Sequence, residues 1–321
     1  MSTARKALVT GGAGFIGSGI AHALLEQGTQ VRILDNLSTG NEANLADIAD
    51  DIELIRADIR DIEATTAAMI DIDVVFHEAA LTSVPRSVAN PIATHDVNAS
   101  GTLNVLVAAR DAGVERLVYA SSSSVYGDAE LLPVEESMPA RPISPYGVSK
   151  LAGEHYVRAF HLAYGIATVS LRYFNVFGPR QDPASEYAAV VPRFIVAALE
   201  GRAATIYGDG GQARDFTYVG DVVAANLLAA TAPETAWGRT FNIAYNDSHS
   251  VRELWEQVQA AVPAETVEPT NEPSRTGDIR DSRADISAAK AVLGYRPAST
   301  FEEGVRMTAG WLTEQTRKTV R

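Results

Sequence analysis

One twenty-residue segment, VTGGAGFIGSGIAHALLEQG at positions 9–28, limits the possible folds more than any other part of the chain. It follows a short apolar run over 6–10 that reads as a strand, and it opens a stretch of helical spacing over about 15–27. Gly11, Gly14 and Gly17 recur at three-residue intervals within it. A residue without a Cβ can make the tight turn needed at Gly11. Gly14 allows close backbone approach to a pyrophosphate at the helix N-terminus, where free N–H groups and the helix dipole favour an anion. Gly17 is expected to let the helix pack close to a sheet. Glycines also serve ordinary turns. The order strand, glycine motif, helix is what points to a dinucleotide, with Phe15 and Ile16 in the same turn.

The pattern continues as strand-like and helix-like segments in alternation. Strands are expected at 31–35, 52–58, 73–79, 116–122, 167–174 and 240–244, with helices over about 91–112, 146–164 and 220–231. Short apolar runs separated by helix-length segments argue an α/β protein, a doubly wound parallel sheet of the Rossmann type. After residue 175 the pattern loosens. Residues 205–219 read as two short strands around a glycine-rich turn, and the polar, proline-rich stretch 262–278 as a loop crossing a cleft. Helices over about 284–293 and 301–316 end the chain. The expected division is a dinucleotide domain over 1–175 with about 217–245, and a smaller discontinuous C-terminal lobe over about 176–216 and 246–321.

Asp35 closes the second strand about 20 residues after the motif. A carboxylate there accepts from both ribose hydroxyls and repels a 2′-phosphate, which selects NAD over NADP. Asp58, followed by Ile59, ends the third strand, where it either reaches the adenine amine or simply caps the strand end.

Composition removes several classes of function. The net charge of −13, with basic residues scattered, argues against nucleic-acid binding. No cysteine is present, which excludes disulfides and thiolate chemistry. The six histidines lack close ligand spacing, so no metal site is expected. No signal peptide and no membrane-length apolar run is apparent, and the cytoplasm is the default expectation.

The chemistry is expected around SPYGVSK. Tyr146 and Lys150 stand four residues apart, on one helix face. A phenol is a poor base at neutral pH, but a lysine ammonium and a cationic nicotinamide stabilise the phenolate and are expected to lower its pKa. The phenolate then takes a proton from a substrate hydroxyl while hydride leaves the same carbon. The serine run of YASSSSVYG ends the fifth strand, where a serine can hydrogen-bond the reacting oxygen. Histidine 77 reads as a packed residue, and Trp237, Trp255 and Trp311 as core or lobe-packing residues.

These motifs, with DNLSTG, HEAALTSVPRS, LRYFNVFGPRQDP, YGDGGQARDFTYV and RTGDIRDSRADISAAKAVLGYRP, resemble the extended short-chain dehydrogenase/reductases nearly end to end. The nearest resemblance is to the NAD-dependent UDP-hexose 4-epimerases. It implies Ser122, Tyr146 and Lys150 as the catalytic group. It adds Asn36, Ser38, Gly40, Ala79, Ala80, Asn98 and Tyr173 to the cofactor set. It places Ser83, Ser123, Asn175, Val190, Val191 and Tyr207 against the substrate, Arg214 and Arg275 on the diphosphate, and Asp278 on the uridine ribose. Arginine's fork suits phosphate, although Arg214 could instead pair with Asp215.

Related dehydratases and decarboxylases usually carry an acid where this chain has Ser123 or Ser124. The resemblance therefore implies C4 epimerisation through a 4-keto sugar, with NAD tightly retained and a homodimer formed through the helices at about 91–112 and 146–164. Ser282 falls where some 4-epimerases crowd the hexose C2 substituent with a bulky residue. Its small side chain implies that UDP-GlcNAc and UDP-GalNAc are accepted, alone or beside UDP-Glc and UDP-Gal.

Overall fold

The computed structural model describes residues 6–183, 189–263, 265–273 and 280–319. Its centre is a seven-stranded parallel sheet formed by β1 (Lys6–Thr10), β2 (Gln30–Asp35), β3 (Ile52–Arg56), β4 (Val74–His77), β5 (Arg116–Ser122), β6 (Ala167–Tyr173) and β11 (Arg239–Ile243), in the order β11-β6-β5-β4-β1-β2-β3. Strand β1 pairs with both β2 and β4. The winding reverses there, and the crevice beyond those strand ends is where doubly wound folds bind ligands.

Strand alternation separates the two faces. Val9, Ile33, Phe76, Val118 and Leu171 join one core, under α1 (Phe15–Glu26) and α8 (Val219–Ala230). Leu8, Leu34, Val75, Leu117 and Tyr119 join the other. That second face is covered by α2 (Ile62–Ala68), α5 (Thr102–Asp111) and α6 (Pro145–Tyr164). Short helices α3 (Val84–Ala89) and α4 (Pro91–His95) precede α5 and pack on α6. The helix expected over 91–112 is continuous but not uniform: a π-helical stretch, Asp96–Gly101, joins α4 to α5.

A third core lies in the C-terminal half. Phe177, Ile195, Phe216, Trp255 and Phe301 pack among α7 (Val190–Leu199), α9 (Val251–Ala261) and α10 (Phe301–Thr319). Trp311 packs against this core. Residues 284–295 behave differently. Ala284, Ile286, Ala289, Leu293 and Tyr295 enter the core of the main sheet, through a π-helical turn at Ala289–Leu293.

The short strands are paired at long range. Strand β7 (Val176–Phe177) pairs with β10 (Thr217–Tyr218), β8 (Thr205–Tyr207) with β13 (Thr270–Glu272), and β9 (Ala213–Arg214) with β12 (His249–Ser250). The stretch 205–219 is thus three strand fragments with three different partners, not two strands folded on one another. Two- and three-residue strands are too short to declare their pairing through local alternation.

His77, at the end of β4, is packed as expected and 1% exposed. Its Nδ1 lies 2.7 Å from Thr10 Oγ1 and its Nε2 2.9 Å from Thr102 Oγ1. Thr102 donates its hydroxyl proton to Asn98 O, so it must accept from Nε2–H. Ala79 N–H donates to Thr10 Oγ1, which in turn donates to Nδ1. The ring is therefore neutral with the proton on Nε2, and burial pushes its pKa down to about 3. The unfolded chain binds a proton on this ring that the folded chain refuses between about pH 6.5 and 3. His77 thus contributes stability that is present above 6.5 and lost as pH falls through that window. Urea unfolding measured across it should show a steeper acid-side loss for the native chain than for His77→Gln, by up to one proton in slope.

Candidate active site

The glycine turn has the geometry a phosphate pair requires. Gly11 has φ +67°, and a Cβ there would meet Ala79 N at 2.7 Å. Gly14 is the N-cap of α1, with no side-chain cap bond and no acidic residue in the first turn. The first N–H groups of α1 are therefore left for an anion. Gly17 lets α1 pack against the end of β1: a Cβ there would strike Gly11 O, one residue past the strand, whose N–H donates to Leu34 O of β2. Gly12 is also held against the sheet, and its Cβ would lie 2.7 Å from Ile33.

Asp35 ends β2 and is 7% exposed. Its Oδ2 accepts from Ala13 N at 2.9 Å and its Oδ1 from Leu37 N at 2.8 Å. Each carboxylate oxygen retains accepting capacity for a ribose hydroxyl. Gly40 comes so close that a Cβ would lie 3.0 Å from Asp35 Oδ2. Asn36 accepts from Ser38 N and donates to Asp58 Oδ2 at 2.7 Å. Arg60 grips Asp58 with both Nε and Nη2, at 2.9 and 2.8 Å. These donors, Arg60 first, pull Asp58 down to about 2. It remains a charged acceptor beside Asn36. Ile59 is 4% exposed and its side chain packs into the core.

Asn98 has a mainly structural set of bonds. It is 1% exposed, accepts from Leu81 N, and donates to Leu81 O and Ser149 Oγ. It ties the loop after β4, with Ala79, Ala80 and Ser83, to helix α6. Ser83 caps α3 by accepting from Arg86 N.

Helix α6 carries the reactive pair. Pro145 stands in its first turn, and Ser144 caps it by accepting from Gly147 N. Tyr146, Lys150 and Ser122 are 7%, 3% and 9% exposed. The Ser122 hydroxyl draws the Tyr146 phenol down and accepts from Ser124 N, while Ser123 is half-buried. Lys150 Nζ donates to Ala120 O at 2.8 Å and lies 5.2 Å from the Tyr119 ring centroid.

In the protein alone, burial dominates the electrostatics of the site. Burial pushes the Tyr146 phenol up to about 12; the Ser122 hydroxyl pulls it down and Glu78 pushes it up. Burial pushes Lys150 down, opposed by Glu78 and Glu154. Both groups are desolvated, and Lys150 Nζ is bound to Ala120 O. Lowering requires further positive charge at the site.

Two features escape the sequence reading. Glu154, one turn beyond Lys150, forms a bidentate pair with Arg172 at 2.8 and 2.7 Å, both buried. Glu78 accepts from the Tyr173 hydroxyl at 2.8 Å, and Asn226 Nδ2 donates to the same hydroxyl at 2.8 Å. The i, i+4 spacing of Lys150 and Glu154 was a signal for the first; Glu78 has only its place at a strand end.

In the C-terminal half Asn175, at φ +34°, donates to Asp215 O at 3.3 Å and to Ser282 Oγ at 3.4 Å. Arg214 donates to the carbonyls of Ala213 and Arg280. Asp215 accepts from the N–H groups of Tyr245, Asn246 and Ala284, so its carboxylate is satisfied by backbone. Val190 and Val191 start α7, and Tyr207 ends β8. Arg275 and Asp278 lie outside the described residues. Among the described residues no His/Asp/Glu cluster could hold a metal, and no helix is long and apolar enough to cross a membrane.

The glycine turn, Asp35 and the strand-end triad fit a dinucleotide running from β2 to α6. A Gly17→Ala variant should lose bound NAD, with destabilisation of about 1–3 kcal/mol from the clash with Gly11 O. Nucleotide content after gel filtration, with a parallel melting curve, checks this.

Comparison with known proteins agrees. Residues 7–244 match the NAD dependent epimerase/dehydratase family. A UDP-glucose 4-epimerase of Mycolicibacterium smegmatis is 42% identical over 307 residues, covering 94% of this chain and 97% of its own. The structure of a UDP-N-acetylglucosamine 4-epimerase from Methanobrevibacter ruminantium, in complex with UDP-N-acetylmuramic acid, superposes with a TM-score of 0.92 at 39% identity, covering 98% of this chain and 100% of its own. That of a Thermus thermophilus UDP-glucose 4-epimerase with NAD gives 0.87 at 40%, covering 96% and 99%. Nucleotide-sugar decarboxylases and dehydratases also stand among the similar proteins, at 32% and 31% identity. The chain belongs to the NAD dependent epimerase/dehydratase family of extended short-chain dehydrogenase/reductases, and its cofactor is NAD.

Proposed function

We propose that the protein interconverts the C4 epimers of a UDP-hexose through a 4-keto intermediate. One observation carries this reading: Ser122, Tyr146 and Lys150 stand together at the strand ends, followed by the neutral Ser123 and Ser124. Dehydration must expel a hydroxyl, which calls for a proton donor beside the reacting carbons. Neither serine is an acid. Oxidised NAD supplies the hydride acceptor and the positive charge that the buried phenol lacks. Tyr146 takes the O4 proton, Ser122 holds the same oxygen, and Lys150 adds positive charge beside them.

The nucleotide is assigned to the other lobe, with Arg214 and Arg275 on the diphosphate, Asp278 on the ribose, and Asn175, Val190, Val191 and Tyr207 around the nucleotide. Such a division holds the diphosphate firmly and leaves the hexose free to turn over. The acidic chain has no general attraction for a diphosphate, so local arginines must provide it. A homodimer in the cytoplasm is part of the same reading. Ile92 and Val148 are exposed by 73% and 51% and line one concavity beside Pro142 and Ile143. This is an apolar surface suited to a second copy.

The test is product analysis by NMR after incubation with each UDP-hexose and with a UDP-hexuronic acid. The expected product is a C4 epimer of unchanged mass; a 4-keto-6-deoxy sugar or loss of carbon dioxide would overturn the reading. Tyr146→Phe should lower kcat by roughly 10²–10⁴-fold with NAD and UDP-sugar still bound. Ser282, beside Asn175, is proposed to admit an N-acetyl group at C2. Ser282→Tyr should cut kcat/KM for the UDP-GlcNAc/UDP-GalNAc pair by roughly 10–200-fold and spare the non-acetylated pair. If the native enzyme turns over no acetylated sugar, the gating role falls.

A further inference from the structure

Glu78 is a carboxylate that the reaction outlined above does not use, yet it lies within the reactive centre. Parallel pairing of His77 with Tyr119 puts Glu78 next to Ala120 in register, and Ala120 O is the acceptor for Lys150 Nζ. The Glu78 backbone also abuts the cofactor turn, since a Cβ on Gly11 would lie 3.0 Å from its carbonyl carbon. Its side chain is fixed from the far side. Tyr173, on β6, donates to Oε1 at 2.8 Å, and Asn226, on α8, donates to the Tyr173 hydroxyl at 2.8 Å and to Val222 O. Tyr173 and Asn226 are themselves buried. Three elements thus converge to hold one acid between the glycine turn and the Tyr146–Lys150 pair.

We propose that Glu78 is a charge-setting, positioning residue: its carboxylate, tethered by Tyr173 and Asn226, balances the cationic charge of Lys150 and of the oxidised cofactor and so sets the basicity of Tyr146. The inference rests on the assignment of Tyr146 as the base. Other charged and titratable groups face the same pair. Glu154 acts on Lys150 from α6, but it is committed to Arg172. His77, on β4, is neutral and held by two threonines. Tyr119, on β5, lies under Lys150 and is itself pushed well above the ordinary phenol range by burial. Tyr173 is bound to Glu78. Glu78 is the carboxylate in this set whose field reaches both Tyr146 and Lys150.

The sign follows from its charge. A nearby carboxylate disfavours the phenolate and favours the ammonium, so its ionised form raises both groups. Burial raises Glu78 itself, while Tyr173 and Lys150 draw it down. Neutralising it releases both reactive groups downward. It also removes a counter-charge that favours the cationic, oxidised nicotinamide over the neutral reduced ring.

The experiment compares the native enzyme with Glu78→Gln, which keeps an acceptor for Tyr173 but not the charge. The pH profile of kcat for the variant should move to lower pH by about one unit. The fraction of co-purified cofactor in the reduced form, read by its near-ultraviolet absorbance, should rise. Tyr173→Phe should shift the profile in the same direction by less, because an untethered Glu78 protonates more readily. It serves as the second arm if the glutamine variant fails to fold. An unmoved profile with an unmoved redox fraction overturns the proposal. If Tyr146→Phe is inactive at the same time, the base assignment stands and only the role of Glu78 is lost; if Tyr146→Phe turns over normally, it is the base assignment that fails.

Discussion

The buried ion pair between Glu154 and Arg172 fixes the geometry on which the site depends. It joins α6, the helix that carries Tyr146 and Lys150, to β6, the strand that ends in Tyr173. Ser121, on β5, adds a hydrogen bond to the same carboxylate, so one side chain fastens the helix across two neighbouring strands. Taking both charges out of water is expensive, and such a pair is weak evidence for stability as such. Its bidentate geometry does something that an apolar contact does not: it sets the rotation and the axial position of the helix. The Arg172 guanidinium also stacks 4.6 Å from the Tyr126 ring centroid, and Tyr126 bonds to Asn242 on β11. The lock therefore extends from α6 to the edge of the sheet.

With the helix fixed, burial governs the chemistry. Tyr146 is pushed up, Lys150 down and Glu78 up, each toward its neutral form and each chiefly by desolvation. A site built this way is nearly silent until charge enters it. The dinucleotide brings that charge, and the glycine turn and Asp35 decide where it lies. The same low dielectric that penalises these groups strengthens every interaction once the cofactor is in place. A large negative net charge on the chain is then no obstacle, since the cofactor's phosphates are met by a helix N-terminus rather than by the overall field.

Much of this was legible in the sequence, for physical reasons that can be named. Gly11 and Gly14 announce themselves because only a missing Cβ permits the turn and the close approach, and the alternating apolar runs announce the sheet. Ser122, Tyr146 and Lys150 come together as the motifs implied. What could not be read was set by contacts distant in sequence. The partners of the strand fragments between 205 and 218 lie outside that stretch. Glu78 acquires its role from Tyr173 and Asn226, neither of which is near it in sequence. Gly12 makes a further close approach, to Ile33 of β2, that the motif's three-residue spacing does not announce. Helix α9 was a different kind of omission. Its start is marked by a capping box between Ser250 and Glu253, a local signal present in the sequence.

The C-terminal half shows how a lobe made of fragments can still hold residues in register. Residues around 280–285 run beside Ala213–Asp215: Ala213 N donates to Arg280 O, Ser282 N to Ala213 O, and Ala284 N to the Asp215 carboxylate. Asp215 also collects Tyr245 N and Asn246 N, which brings the end of the main sheet into the same knot. Burial raises this carboxyl to about 7 even though three N–H bonds draw it down. The fully buried acid is therefore retained at a desolvation cost, and what it provides in return is alignment. It fixes Arg214 on one side and Ser282 on the other, with Asn175 between β6 and β7 reaching both Asp215 O and Ser282 Oγ. Arg214, proposed to grip the diphosphate, and Ser282, proposed to size the hexose pocket, are thereby referred to one buried anchor, at the junction with the ends of β6 and β11.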